Sequence, residues 1–185
     1  MAMKELIVRA LYLAGRADAA RALEDGGELP AEASEAVRTM LYCANAAEDE
    51  LARYYFPLEY TETIRSSTGR YDFKKFRYSP VEILKVTDEK DNEITFGRFK
   101  DYISAGEAVI TVTYRYAPDK KQITDGSEFE SALGGEIPAL GAAAEYCLIN
   151  GESGLAEALE VRYRAALDRA LKIPSGAVIS PRRWL

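Results

Sequence analysis

The spacing of apolar residues changes twice along the chain, and this change limits the folds that the chain can adopt. Before Tyr54 and after Ile137, apolar residues recur at spacings of three and four, which is the period of an α-helix. Between Leu58 and Tyr116 they alternate with polar residues, and Tyr, Val, Ile and Thr are enriched, as is typical of β-strands. Such segregated runs predict an α+β fold and disfavour a parallel βαβ sheet.

The helical pattern predicts two helices from each end of the chain, at residues 3–24, 30–54, 136–150 and 153–172. Gly26 and Gly27 stop the first helix, and Pro57 prevents the second from continuing. Asn150 and Gly151 form a stop signal between the third and the fourth. The expected inward-facing stripes include three apolar side chains near helix ends, namely Tyr54, Leu148 and Leu155.

The alternating pattern predicts five strands, at residues 57–66, 69–74, 80–88, 93–99 and 107–117. The last strand has the clearest alternation, and its apolar face consists of Ala108, Ile110, Val112, Tyr114 and Tyr116. The expected fold class is α+β: a four-helix bundle from both chain ends, an inserted five-strand antiparallel β block and an extended C-terminal arm. The corresponding segments are 1–56 for the first two helices, 57–118 for the β block, 119–173 for a loop with the last two helices, and 174–185 for the arm.

The absence of histidine excludes several classes of active site. Without an imidazole the chain cannot form a Ser-His-Asp or Cys-His arrangement, a His-ligated zinc site or a histidine general base. Cys43 and Cys147 are too few for a four-cysteine zinc site, and both lie in apolar stretches where a thiol is usually a small buried side chain. We therefore assign no catalytic, cofactor-binding or metal-binding residues and expect a binding or structural protein instead of an enzyme.

The charge balance and hydropathy disfavour two kinds of partner. The 24 basic and 30 acidic residues give a formal net charge of −6, whereas broad non-specific DNA binding needs a basic face. No apolar run approaches the roughly 18 residues that a membrane span needs. We therefore expect neither a membrane protein nor a general DNA-binding protein.

Three consecutive acidic residues, Glu48, Asp49 and Glu50, lie on the second expected helix. A paired-carboxylate site needs two groups on one face, but neighbouring helix positions point about 100° apart. These side chains therefore fan out, and we expect them to form a solvated face.

Residues 70–78 interleave basic and aromatic side chains. The candidates for a subunit or tail-side interface within them are Tyr71, Phe73, Lys74, Lys75, Phe76, Arg77 and Tyr78. Aromatic rings with basic neighbours can also hold single-stranded nucleic acid. A third alternative is a strand edge, on which lysines discourage aggregation while the rings pack inward. The segment favours a protein interface or such an edge over a nucleic-acid surface.

The C-terminal residues 174–185 end in Arg182, Arg183, Trp184 and Leu185. Trp together with Arg is typical of the residues that dominate binding at protein interfaces. These residues therefore predict an arm that docks on a partner subunit. The alternative is that Trp184 packs back on its own domain.

Several stretches of the chain resemble a known family. They are residues 50–58 (ELARYYFPL) with Thr61–Thr63, residues 110–118 (ITVTYRYAP), residues 137–148 (IPALGAAAEYCL), residues 154–158 (GLAEA) with Tyr163 and Arg164, and the closing Arg182-Arg183-Trp184. In content and order they resemble the head–tail connector (adaptor) proteins of tailed bacteriophages. None of these stretches is a catalytic signature.

The resemblance implies a non-enzymatic virion protein that is synthesised in the cytoplasm of the bacterial host. Such adaptors form rings, typically twelvefold, that extend the channel of the portal protein and bind the next neck or tail proteins. The portal would be engaged by Ile173–Leu185, chiefly by Arg182, Arg183 and Trp184. DNA would pass through the ring without specific binding. The isolated subunit would be a monomer.

Two alternatives remain open at the level of sequence. One is another neck component, such as a head-completion or tail-completion protein. The other is a DNA-binding accessory protein that uses residues 70–78.

Overall fold

A computed structural model describes residues 2–129 and 135–172 of the chain. Its fold is α+β, and the described residues form five α-helices and six strands in two small antiparallel sheets. The helices are α1 (Met3–Leu13), α2 (Ala17–Asp25), α3 (Ala31–Glu50), α4 (Glu136–Ile149) and α5 (Ser153–Leu171). The expected four-helix bundle with a five-strand block is therefore wrong in both its helical and its β part.

Residues 3–24 form two helices, α1 and α2, instead of the single helix expected. Gly15 adopts a φ of +72°, a left-handed conformation that a helix cannot contain and that glycine adopts readily. Its N–H donates to Tyr12 O at 3.2 Å, and the N–H of Arg16 donates to Leu11 O at 2.8 Å. These two bonds form the Schellman motif that ends a helix. Apolar residues continue at helical spacing beyond Gly15, so their periodicity alone did not reveal the break.

The chain divides into two compact units. Residues Asp49–Lys120 form one, which we call the sheet unit, and the segments on either side of them form the other, the helical unit. α3 continues beyond its end as a single π-helical turn at Leu51–Tyr55. The sheet unit is thus an insertion between α3 and α4.

The helical unit is built around α4, which is buried on nearly all sides. Small residues allow this close packing: a Cβ added at Gly141 would lie 3.2 Å from the Tyr163 ring and 3.4 Å from the Cβ of Ala47. The two cysteines are fully buried here, as expected, and burial raises the pKa of Cys43 to about 12 and that of Cys147 to about 11.

Three side chains expected to face inward are exposed instead. Tyr54 is 75% exposed, Leu148 is 61% exposed and Leu155 is 38% exposed. Tyr54 lies in the turn that follows the end of α3, Leu148 lies in the last turn of α4, and Leu155 lies in the first turn of α5. Helical periodicity identified the buried stripes but not where they end.

The sheet unit contains β1 (Leu58–Arg65), β2 (Arg70–Asp72), β3 (Pro80–Thr87), β4 (Phe96–Arg98), β5 (Tyr102–Ala105) and β6 (Val109–Tyr116). One sheet has the order β1-β6-β3 and the other β2-β5-β4, and all pairs are antiparallel. β5 was not expected, because its four residues fall in an interval that the alternating pattern left unassigned. It splits the expected single block, since it pairs with β2 and β4 and not with β6.

Alternation in β6 is confirmed, but Ala108, which was expected on the buried face, is exposed and precedes the strand. The buried positions of β6 are Ile110, Val112, Tyr114 and Tyr116, and the residues between them are only half-buried. The buried residues join Tyr71 and Ile103 from the second sheet in one core. The two sheets therefore share a single hydrophobic interior.

We predict that Gly69→Ala destabilises the sheet unit. Gly69 adopts a φ of +68°, and an added Cβ would clash with the backbone oxygen of Ala105. We expect unfolding in urea to show a loss of about 3 kcal/mol, the upper end for a residue forced into the left-handed region. Gly106→Ala is the matched control, because a Cβ there meets nothing within 4 Å. Equal stabilities of the two variants would contradict the prediction.

Candidate functional site

The basic and aromatic residues 70–78 do not form one continuous surface. Tyr71 is fully buried and Phe76 is 7% exposed, so both are core residues and neither is available to a partner. Phe73 and Tyr78 are half-buried, whereas the surface positions are Lys74, Lys75 and Arg77. Nucleic-acid binding by stacking on this segment is disfavoured, because the rings face inward.

Hydrogen bonds to Tyr114 and Glu62 hold residues 77 and 78 against the inner face of the first sheet. The Tyr114 hydroxyl donates to Glu62 Oε1 at 2.5 Å and accepts the N–H of Tyr78 at 3.2 Å, and the N–H of Arg77 donates to the same Glu62 oxygen at 2.9 Å. Burial, followed by the Glu62 hydrogen bond, raises the pKa of Tyr114. The tyrosine therefore stays protonated as a donor, and Glu62 on β1 is committed to the interior.

The two guanidinium groups at the ends of the segment lie against aromatic rings. Arg70 lies 3.9 Å from the ring centroid of Tyr102 and forms an ion pair with Asp72 at 2.8 Å. Arg77 lies 5.7 Å from the centroid of Tyr78. Both cations are thus engaged within the sheet unit, where cation–π contacts of this kind contribute modestly to stability.

A buried carboxylate in the helical unit was missed by the sequence analysis. Glu48, expected on a solvated face, is 1% exposed, and its Oε1 accepts the hydroxyl hydrogen of Ser127. Its Oε2 has no hydrogen-bond partner within the described residues. Burial raises the pKa of Glu48, against the opposing effects of the Ser127 hydrogen bond and the Lys121 ammonium group. Burial therefore disfavours the charged form of this carboxyl group more than water would.

Asn45, one turn before Glu48 on α3, binds the same returning chain. Its Oδ1 accepts the N–H of Lys121 at 2.6 Å, and its Nδ2 donates to Lys121 O at 3.1 Å. Lys121 in turn forms an ion pair with Glu128 at 2.6 Å. We call these five residues the α3 latch: Asn45, Glu48, Lys121, Ser127 and Glu128. It fixes residues 121–128 to α3, and this structural role explains the burial of Glu48 without any catalytic one.

An exposed apolar cluster lies at the turn between α4 and α5. Leu148 is 61% exposed, Ile149 is 51% exposed and Leu155 is 38% exposed. Gly151, with a φ of +76°, allows a short turn that brings these three residues to one end of the helical hairpin. We call them the apolar end. Exposed Leu and Ile side chains gathered at one end of a hairpin are candidates for a surface that a protein partner covers.

Within residues 2–129 and 135–172, no group of three or more Cys, Asp or Glu residues is arranged to hold a metal ion. In the same part of the chain, no helix has the length and apolar character to cross a membrane. The expected docking residues Arg182, Arg183, Trp184 and Leu185 lie outside the described residues.

We predict that Tyr114→Phe destabilises the protein by about 1–3 kcal/mol, because it leaves Glu62 with one donor fewer and the Tyr78 N–H without an acceptor. Urea unfolding followed by circular dichroism measures the change. Tyr42→Phe removes a hydroxyl from a side chain that is 64% exposed and is expected to stay within about 0.5 kcal/mol of wild type. A neutral effect at Tyr114 would show that water replaces its hydroxyl.

We predict that Glu48→Gln stabilises the protein at neutral pH. A carboxyl group whose folded-state pKa is raised favours folding at low pH, and this contribution is lost as the pH rises through the folded pKa. The free energy of unfolding of the variant should therefore exceed that of wild type at pH 7, and the difference should shrink towards pH 4.5, the ordinary carboxyl pKa. The exposed Glu157→Gln is the control, for which no such trend is expected. The opposite trend, in which the variant loses stability relative to wild type between pH 4.5 and pH 7, would contradict the prediction. It would indicate that the charged Glu48 carboxylate stabilises the fold.

Comparison with known proteins gives no family assignment: no family model matches the chain, and no curated protein matches it.

Proposed function

We propose that this protein is a ring-forming head–tail adaptor of a tailed bacteriophage, which binds the portal and the next neck or tail protein around the DNA channel. The observation that carries the proposal is the apolar end of the α4–α5 hairpin, because it offers a protein-binding surface on the helices that most resemble the family. Those helices contain residues 137–148 and 154–158 of the resemblance.

The order of the two units along the chain supports the same proposal. The sheet unit is inserted between helices contributed by both chain ends, which is the order of elements on which the resemblance rests. In such a protein the helical unit and the C-terminal residues would serve the portal side. The sheet unit would then be left for contacts with neighbouring subunits or with the tail.

The experiment is reconstitution with the portal protein of the same phage. We expect the full chain to bind purified portal rings and to add a second ring that electron microscopy resolves beneath the portal. A triple variant, Arg182→Ala with Arg183→Ala and Trp184→Ala, should weaken portal binding by about 30-fold or more, as expected when an Arg–Trp hot spot is lost.

A second pair of variants tests the apolar end. Leu148→Asp should reduce assembly on the portal, whereas Val161→Asp, at a side chain that is similarly exposed (64%) but lies on α5 away from the turn, should not. Failure of the wild-type protein to bind the portal would overturn the proposal. Binding to purified tails in place of portals would favour a tail-completion protein.

A further inference from the structure

β1 is a free edge of the first sheet. It pairs with β6 over all eight of its residues without an irregularity, and no strand of the described chain lies on its other side. Five of its eight residues are exposed, namely Glu59, Tyr60, Thr61, Thr63 and Arg65. Such a regular strand presents a row of unpaired backbone N–H and C=O groups to which another strand can be added.

The opposite edge of the same sheet, at β3, is closed. Val81 O accepts a hydrogen bond from Arg98 Nη2 at 2.8 Å, and Val86 O accepts one from the N–H of Ile94 at 3.0 Å. β3 also begins at Pro80 and pairs with β6 in an irregular register. Proline, irregular pairing and covered carbonyls are the features by which natural sheets block strand addition. Within the described residues, no proline, irregular pairing or covered carbonyl interrupts the β1 edge of this sheet.

The charges on the outer face of β1 are opposite at its two ends. Glu59 near the start shares the guanidinium of Arg115 with Glu82, at 3.5 and 2.8 Å, so that one cation serves two carboxylates. Arg65 at the end of the strand is exposed. Between them, Thr61 and Thr63 on the same face form hydroxyl hydrogen bonds with Thr113 and Thr111 of β6.

We propose that two copies of this chain associate through antiparallel pairing of their β1 strands, centred on Glu62. In this register Glu59 of each copy faces Arg65 of the other, and Thr61 faces Thr63. Arg65 of each copy thereby supplies a second cation to the Glu59–Arg115–Glu82 group of the other copy. The row of threonines on each sheet continues across the contact. Opposite charges and threonine pairs placed directly across strands are stabilising.

Two-fold symmetry selects this register. Residues that face each other across an antiparallel pair point to the same side of the sheet, so the strands can shift only in steps that keep the two faces matched. Centring the pair on Thr61 or on Thr63 preserves the faces but separates Glu59 from Arg65. Only the pairing centred on Glu62 joins both charged ends.

The two copies of Glu62 at the symmetry axis do not oppose the contact. Each carboxylate is turned towards its own core, where it accepts hydrogen bonds from the Tyr114 hydroxyl at 2.5 Å and from the Arg77 N–H at 2.9 Å. The like charges at the axis are thus already held by donors within each subunit.

This dimer goes beyond the proposed adaptor function and does not depend on it. A two-fold contact uses the same patch on both subunits, whereas a ring is built from head-to-tail contacts between different patches. The β1 pair is therefore a form of the free protein, which differs from the monomer expected from the sequence, and it would have to separate before a ring forms.

The test is the molar mass of the full chain in the absence of other proteins, measured by light scattering and sedimentation between roughly 10 µM and 1 mM, the range for a small interface. We expect wild type to approach twice the monomer mass of 20.5 kDa. Glu59→Arg and Arg65→Glu should each remain monomeric, because each places like charges opposite one another. The double variant Glu59→Arg/Arg65→Glu should recover the dimer.

Glu89→Arg is the matched control. It reverses an exposed charge in the turn that follows β3, outside the Glu59–Arg115–Glu82 group, and should leave the dimer intact. Circular dichroism identifies any variant that fails to fold, and recovery by the double variant separates a broken contact from a damaged subunit. A wild-type monomer throughout this range, or a dimer unaffected by both single reversals, would overturn the proposal. Neither result bears on portal binding, which is measured separately.

Discussion

The structure depends on fastening the chain where it returns to the helical unit after the inserted residues Asp49–Lys120. Asn45 does this by pairing with the backbone of Lys121 through both its amide oxygen and its amide nitrogen, much as a neighbouring strand would. Glu48, one turn later, binds Ser127 in the same returning segment. The same segment also holds the first helix, since the N–H groups of Met3 and Lys4 donate to Asp125 O and Ile123 O. One stretch of irregular chain thus connects α3 to the start of α1.

The burial of Glu48 shows what the helical pattern could and could not predict. Three consecutive acidic residues do fan out, as expected, but one of the three directions coincides with the buried stripe of α3. Ala44 and Leu51 lie four residues before and three residues after Glu48, and both are fully buried. Their spacing was visible in the sequence, but the partner that satisfies the carboxyl group comes from Ser127, far along the chain. Periodicity gives the direction of a side chain and cannot reveal a distant partner.

Secondary structure was predicted correctly where the local sequence pattern ends with the element, and incorrectly where the pattern continues past the end or is too short to detect. The end of α4 was predicted correctly because Asn150-Gly151 coincides with the end of the apolar stripe. The end of α1 was missed because Gly15 forms the same Schellman motif in the middle of a continuing apolar pattern. In the β region, the alternation of β6 was read correctly because this strand is paired on both sides. The three-residue and four-residue strands of the second sheet are too short for a pattern, and their pairing is decided by the shared core.

The abundance of tyrosine follows from how that core is closed. A small unit has little interior, and large rings fill it efficiently, but each buried hydroxyl needs a partner. Tyr71 donates to Glu107 O at 2.5 Å, and Tyr114 donates to Glu62. The second bond fixes an acidic residue of β1 on the inner face of the sheet. Because this bond supplies a donor, the carboxylate is not an unpaired inward-pointing charge of the kind that discourages strand addition at an edge. The tyrosine that completes the core therefore also determines whether the edge of the sheet is open to a second strand.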